Sequence, residues 1–303
     1  HTSEIKYVSF DPGIESGRVL HGLFANCTSL VFVIFSDFDT SKATDVSSMF
    51  EGCTSLPVAD ISGLNLQNVV DMQSMFKGCS ALRQLTIKGI NTSSAENMQS
   101  MFEGCTTLRK LDFAGITTSN VTNMQSMFAG CAELASLDIS QFTMTNVTAM
   151  KDMFAGCSSL AKLDLPTLDV ANVTDLSGVF SGCASLKNLD LTGATTTSTT
   201  TMARMFEDCA ALTTLDLSDF DTTNVTNMDS MFAGCAALKT LKLSSFNTTN
   251  VTSMNSLFGD CEALTEVTLN TGFAFKGEAS WLPAGRWQSS ADSATYTAQA
   301  VAG

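Results

Sequence analysis

Basic charge is scarce in this sequence. Its 303 residues carry 16 Lys and Arg against 30 Asp and Glu, a formal net charge of −14. No basic stripe exists to release phosphate counterions, which argues against nucleic acid as a partner. The same deficit disfavours an anionic membrane surface. Histidine is scarcer still. His1 and His21 are the only two, which leaves little for acid–base or metal chemistry, so neither an enzyme nor a cofactor is expected. Charged residues of both signs make up 15 % of the chain, against about 25 % in an average soluble domain. The polar surface must therefore be mostly neutral, and Ser and Thr supply it. No run of about 18 apolar residues is present, so no transmembrane helix is expected. The chain opens at His1 without a charged-then-apolar leader and closes at Gly303 without a sorting motif. The expectation is a monomer with no direct membrane insertion and no visible anchor.

What is present is a repeat. Cysteines stand at Cys27, Cys53, Cys79, Cys105, Cys131, Cys157, Cys183, Cys209, Cys235 and Cys261, and every interval is 26 residues. A fixed period in this range is the mark of a solenoid, whose units bury their apolar faces only against their neighbours. Residues 1–273 read as one stack of ten such units and 274–303 as a separate segment. Three residues before each Cys comes Phe, and three after it comes Leu, as in Phe128 and Leu134. Six and eight after it the residues are apolar, as in Leu137 and Ile139, and Met dominates four and seven before it.

Two periods coexist in the unit. Val121, Met124, Met127, Phe128 and Cys131 follow the three-and-four spacing of a helical or 3₁₀ turn. Leu137, Asp138, Ile139 and Ser140 alternate as a short strand does. Thr or Asn ahead of the first segment can cap its free N–H groups. The Gly, Asn or Asp before each Cys tolerates a left-handed conformation and suggests a helix end. The expected fold is an α/β solenoid, a right-handed stack with a parallel sheet on one face and short helices or 3₁₀ turns on the other. At about 4.8 Å per strand, ten units would make a rod roughly 50 Å long.

The segment Leu134-x-x-Leu137-x-Ile139 resembles the core of leucine-rich repeats. Where such repeats place Asn or Cys, this chain has Phe38, Phe142, Phe220 or Phe246 in several copies, so an aromatic stack must take the place of an Asn ladder. The fuller pattern N-V-T-N-M-x-S-M-F-x-G-C-x-x-L-x-x-L-D-L-S-x-F, best kept in 120–142, 146–168 and 224–246, resembles BspA-like surface proteins and the related DUF285 repeats. That resemblance implies an extracellular, secreted bacterial cell-surface protein that mediates adhesion, with host extracellular-matrix or plasma proteins, or other microbial surfaces, as partners. The tail is similar to the Trp- and Tyr-containing segment that closes bacterial repeats of this kind. Trp281, Trp287 and Tyr296, with Phe273 and Phe275, fit a cap over the last core layer, a carbohydrate platform being the less favoured use.

Even spacing places every Cys in the same core slot, with in-register side chains that make poor bridge geometry. A ladder of buried, inert thiols is expected rather than disulfides. No paired Cys or clustered His stands at metal-ligand spacing. Seven after the Cys, facing outward, comes an acidic ladder of Asp112, Asp138, Asp164, Asp190 and Asp216, to which Asp60 also belongs, interrupted at Thr86 and ended by Lys242. Like charges on adjacent strands repel, and Lys110 and Lys162, two residues earlier on the same face, can offset part of that. This row is either a solvated polar face or a strip that engages a basic patch or a divalent cation, and partner-binding residues are placed here. The N-V-T triplets at Asn120, Asn146, Asn172, Asn224 and Asn250 match a glycosylation sequon but suit turn and cap chemistry. The Thr row at Thr122, Thr148, Thr174, Thr200, Thr226 and Thr252 has the regularity of an ice-binding array, with capping as the plainer use. His21 has no Ser, Cys or carboxylate pattern around it. The expectation is a non-enzymatic binding protein. The alternative is a spacer rod that presents another domain.

Overall fold

The computed structural model describes residues 4–35, 38–87, 89–276, 282–283, 286–288 and 295–297. It divides into two compact units, His1–Pro166 and Thr167–Gly303. The first unit carries β1 (Tyr7–Ser9), β2 (Ile14–Glu15), β3 (Phe32–Ile34), β4 (Phe38–Asp39), β5 (Val58–Asp60), β6 (Gln84–Thr86), β7 (Ser136–Asp138) and β8 (Lys162–Asp164). Within it β1 pairs with β3, β2 with β4, β5 with β6 and β7 with β8, all in parallel. The second unit carries β9 (Thr214–Asp216), β10 (Thr240–Leu243) and β11 (Glu266–Leu269), one parallel sheet with β10 in the middle. It also holds the antiparallel pair β12 (Arg286–Gln288) and β13 (Thr295–Thr297). The 26-residue period sets the register, with Leu137 opposite Leu163 and Leu241 opposite both Leu215 and Val267. Because strand side chains alternate, Leu137 is buried while Ser136 and Asp138 face water.

The opposite face differs from the helical expectation. Among the described residues there is no α-helix or recurrent 3₁₀ face, and the segment before each Cys is a chain of overlapping turns. Two dihedrals per coil explain this. Ser126 at φ 54° and Gly130 at φ 73° are left-handed, and the same two slots are left-handed in the other coils, as at Ser48, Asp152, Arg204, Asn26 and Asp208. A right-handed helix cannot pass through such residues. The amides of Met124, Ser126, Phe128 and Gly130 instead donate to Ala149, Lys151, Met153 and Ala155 one coil onward, at 2.6–2.9 Å. Turn bonds such as Met127 to Met124 and Cys131 to Phe128, at 3.2 and 3.1 Å, fold the segment locally. Three-residue turns put one side chain in three or four inside, which is why the pattern reads as helical from sequence. The result is a parallel β-solenoid in each unit, with a second ladder of backbone bonds on the turn face.

The core is built of rows. Phe24, Phe50, Phe76, Phe102, Phe128 and Phe154 stack face to face along the first unit at 5.1–6.0 Å between centroids. Phe180, Phe206, Phe232 and Phe258 do so in the second at 5.5–5.8 Å. Met124, Met127 and Leu134 are buried beside Phe128. The continuous aromatic stack thus stands three residues before the Cys. Phe142, in the position where leucine-rich repeats carry Asn, meets Phe113 edge-on at 5.1 Å instead. Phe273 and Phe275 pack edge-on, and Leu282 is buried. Trp281 of the expected cap lies outside the described residues.

Candidate functional site

The outward side chains of the strands form the candidate face, taken unit by unit. In the first unit Asp138 and Asp164 are register partners, Lys110 bridges to Gln84, and Asp112 follows two residues later, off the strands. Asp138 accepts the amide and hydroxyl of Ser140 at 3.0 and 2.7 Å, and these bonds hold its carboxyl below the ordinary carboxylate value. Asp112 accepts the amide of Ala114 at 3.0 Å. Lys162 reaches Asp164 on its own strand at 2.6 Å, which raises the lysine. In the second unit Asp190 accepts the amide of Thr192 at 3.0 Å and is lowered by the Thr192 hydroxyl and amide. Lys242 stands opposite Asp216 and donates to it at 2.8 Å. That ion pair, with the bonds from Ser218, holds Asp216 down at about 2.

Each of these carboxylates except Asp164 therefore has a local task. It receives the amide two residues on and closes the turn that leaves the strand. Amide and hydroxyl donors stabilise the charged carboxylates of Asp112, Asp138 and Asp190, and Lys162 and Lys242 offset the charge of Asp164 and Asp216. No three His, Cys, Asp or Glu among the described residues gather into a group able to hold a metal ion. The divalent-cation use of the acidic strip finds no such cluster.

Buried polar rows hold the coils to each other. All ten cysteines are free and buried. Cys131 donates its thiol to the Phe102 carbonyl one coil back at 3.2 Å, and Cys53, Cys79, Cys105, Cys157, Cys209, Cys235 and Cys261 repeat the bond at 3.0–3.2 Å. The same Phe102 carbonyl takes the Cys105 amide, so the thiol satisfies its second lone pair. Burial pushes Cys105, Cys157 and Cys209 up to about 12. The sequon Asn residues are rungs as well. Asn120, Asn146, Asn224 and Asn250 each donate a side-chain N–H to a carbonyl of the preceding coil at 2.7–2.8 Å. Thr122, Thr148, Thr200, Thr226 and Thr252 donate likewise at 3.0–3.3 Å.

A pattern match carries these repeats to a family. The family described as "Mycoplasma protein of unknown function, DUF285" matches residues 18–134, 109–214 and 177–271. The chain belongs to the DUF285 family. It is BspA-like, and its DUF285 coils are leucine-rich-repeat-like in fold. Comparison with curated proteins found no match. Among solved structures, the chain is similar to a leucine-rich repeat protein from Bacteroides ovatus, 17 % identical over 91 % of this chain and 72 % of that one, with a TM-score of 0.44. A leucine-rich cell surface protein from Faecalibacterium prausnitzii is 17 % identical over 88 % of each chain, with a TM-score of 0.36. A leucine-rich repeat protein from Eubacterium ventriosum is 18 % identical over 97 % and 88 %, with a TM-score of 0.38. No helix among the described residues is long and apolar enough to cross a membrane.

Two features of this DUF285 chain were not anticipated from the residues. The first is a buried Thr two residues before the sequon Asn. Thr222 is 1 % exposed, donates to the Asn247 carbonyl at 3.0 Å and accepts the Asn247 amide at 2.8 Å. Thr40, Thr92, Thr118, Thr196 and Thr248 make the same two-way clip. Recurrence of Thr in this slot was the available signal, masked by Leu66, Met144 and Val170 in other coils. The second is His21. Its Nδ1 shares a hydrogen bond with Ser47 Oγ at 2.7 Å, and that hydroxyl donates to Asp45 at 2.5 Å. Serine sits between imidazole and carboxylate, whereas nucleophile activation needs the imidazole in the middle. The group caps a turn, since the Ser47 amide also reaches Asp45 at 2.8 Å.

Proposed function

We propose that this DUF285 chain is a non-enzymatic bacterial cell-surface protein that binds another macromolecule through the outward strand face of its coils. Host matrix or plasma proteins and other microbial surfaces are the partners in view. One observation carries the reading. On the turn face the recurrent polar side chains are used up as rungs between coils. On the strand face the residues five after the Cys change from coil to coil, as Phe32, Val58, Gln84, Lys110, Ser136 and Thr214 do, beside a row seven after it that is mostly Asp. Exposed side chains that the stack does not require are free to carry recognition. Carboxylates already fixed by turn bonds lose little freedom when they meet a partner.

Affinity on this face is a sum of modest contacts, and salt weakens it where the Asp row takes part. The test is binding of purified protein to immobilised fibronectin, fibrinogen, collagen, mucin and common glycans at physiological salt. The same panel is run with Asp112, Asp138, Asp164, Asp190 and Asp216 changed to Lys. Saturable, salt-sensitive binding that the charge reversal alters supports the face. Binding to none of them leaves the chain a spacer.

A further inference from the structure

The strand face of the first unit is not uniform. On β1, β3 and β5 four outward residues are apolar and open to water, Tyr7 at 74 % exposed, Phe32 at 47 %, Ile34 at 43 % and Val58 at 40 %, with Ser9 and Asp60 as the exposed polar residues beside them. Tyr7 and Phe32 are register partners on β1 and β3, β3 packs against β5, and Val58 of β5 stands opposite Gln84 of β6. The row then continues to Lys110. Beside it Arg83, Gln84, Thr86, Lys110 and Asp112 border an open depression of about 460 Å³. Two cations face one carboxylate there, in a chain of net charge −14. Among the described residues neither Arg83 nor Lys110 has an ion-pair partner, while Arg109 next to them is held by Glu133 at 2.8 Å. A contiguous exposed apolar strip that ends in uncommitted cations has the form of a binding site rather than of a solvated sheet.

We propose that this end of the face binds a protein segment of apolar-then-acidic pattern, lying across the strands with apolar side chains over Phe32 and Val58 and carboxylates at Arg83 and Lys110. The inference rests on the strand-face reading above and names the partner's chemistry. The charge pattern selects the occupant. A basic or neutral segment would leave both cations unmatched, and a purely acidic one would leave the apolar strip wet. Adjacent strands are spaced by about 4.8 Å, so Phe32 and Lys110 lie three coils and roughly 14 Å apart. An extended segment at about 3.3 Å per residue covers that distance in four residues. The motif sought has one or two bulky apolar residues followed about four positions later by Glu or Asp.

The experiment uses the full chain and three fluorescein-labelled 12-residue peptides read by anisotropy. One carries a Phe-Leu pair followed four residues later by a Glu pair, the second has Lys for Glu, and the third has Ser for the apolar pair. Expected is binding of the first at least tenfold tighter than of either other peptide. Phe32→Ser with Val58→Ser should weaken it tenfold or more, and Arg83→Glu with Lys110→Glu should reverse the preference towards the Lys peptide. Arg83→Gln with Lys110→Gln, a milder change, should abolish the discrimination between Glu and Lys. All substituted side chains are at the surface, and an unchanged urea midpoint checks that the variants fold. Equal binding of all three peptides, or sensitivity only to Asp138→Asn and Asp164→Asn, overturns the proposal. So does a concentration-dependent dimer in sedimentation that Phe32→Ser with Val58→Ser abolishes, since the occupant would then be a second copy. Variants that leave binding to the protein panel intact sink this inference and spare the strand-face reading. A chain that binds neither panel nor peptide sinks both.

Discussion

Replacing Gly130 by Ala tests by the sign of the result whether the residue before the Cys is left-handed. In a helix interior, Gly to Ala stabilises by about 1 kcal/mol. Here Gly130 sits at φ 73°, where a Cβ costs about 1–2 kcal/mol. Stiffening of the unfolded chain returns about 0.4–1 kcal/mol. The nearest atom to the added Cβ, Gly104 Cα, is 3.6 Å away, an ordinary contact, so sterics contribute nothing further. The net expectation is a loss of about 1 kcal/mol, set by backbone conformation alone. Gly234 would be a poor choice for the test, because its Cβ would fall 2.2 Å from Asp208 Oδ1. The reciprocal variant is Arg204→Gly, which relieves an exposed left-handed residue at φ 59° and should gain about 0.5–1 kcal/mol. Urea unfolding gives both signs. Native-state hydrogen exchange of the Gly130 amide, bonded to Ala155 at 2.6 Å, localises the first, because repeat stacks open in parts. Stabilisation by Gly130→Ala would refute the left-handed assignment.

Thr222→Val removes both bonds of a clip and strands the Asn247 amide. Stability should fall by about 2 kcal/mol, the cost of an unsatisfied buried donor, with faster exchange at Asn247; an unchanged rate there would show the clip to be idle. Asp216 has a folded value of about 2 against an ordinary 3.8. Its contribution is therefore full above about pH 4 and lost as pH falls through 2. Both partners of its ion pair are 52 % exposed, so Asp216→Asn should cost under about 1 kcal/mol at pH 6 and only a small part of that at pH 2. A cost that stays the same at both pH values would contradict this. Native protein at pH 8 should show no thiol reactive to Ellman's reagent, whereas denaturant without reductant should release all ten. Fewer than ten would mean that disulfides form.

The stack was legible because its demands are the same in every coil. Phe at one slot, Leu at another and Cys between them recur every 26 residues, and only a core shared between neighbours explains a period without insertions. The strand of each unit was legible from alternation at residues such as Leu137 and Ile139. The turn face was misread for a physical reason. Ser126 resembles a helix-compatible residue in composition, and nothing in its identity announces φ 54°. The candidate strip was legible as a row of carboxylates, but not the use of Asp138 to close its own turn or the pairing of Lys242 with Asp216.

By itself, then, the amino-acid order determined the period, the in-or-out assignment of the strand residues and the common slot of the ten cysteines, because these follow from burial of one residue type at one interval. Tertiary structure decided where the backbone amides go. Ladder bonds to the next coil satisfy Met124 and Phe128, and a bond 25 residues distant turns Thr222 from a surface-type residue into a buried one. Such partners are neighbours only after stacking. The same stacking sets Tyr7, Phe32 and Val58 beside Gln84 and Lys110 on one face, which no single coil's sequence contains.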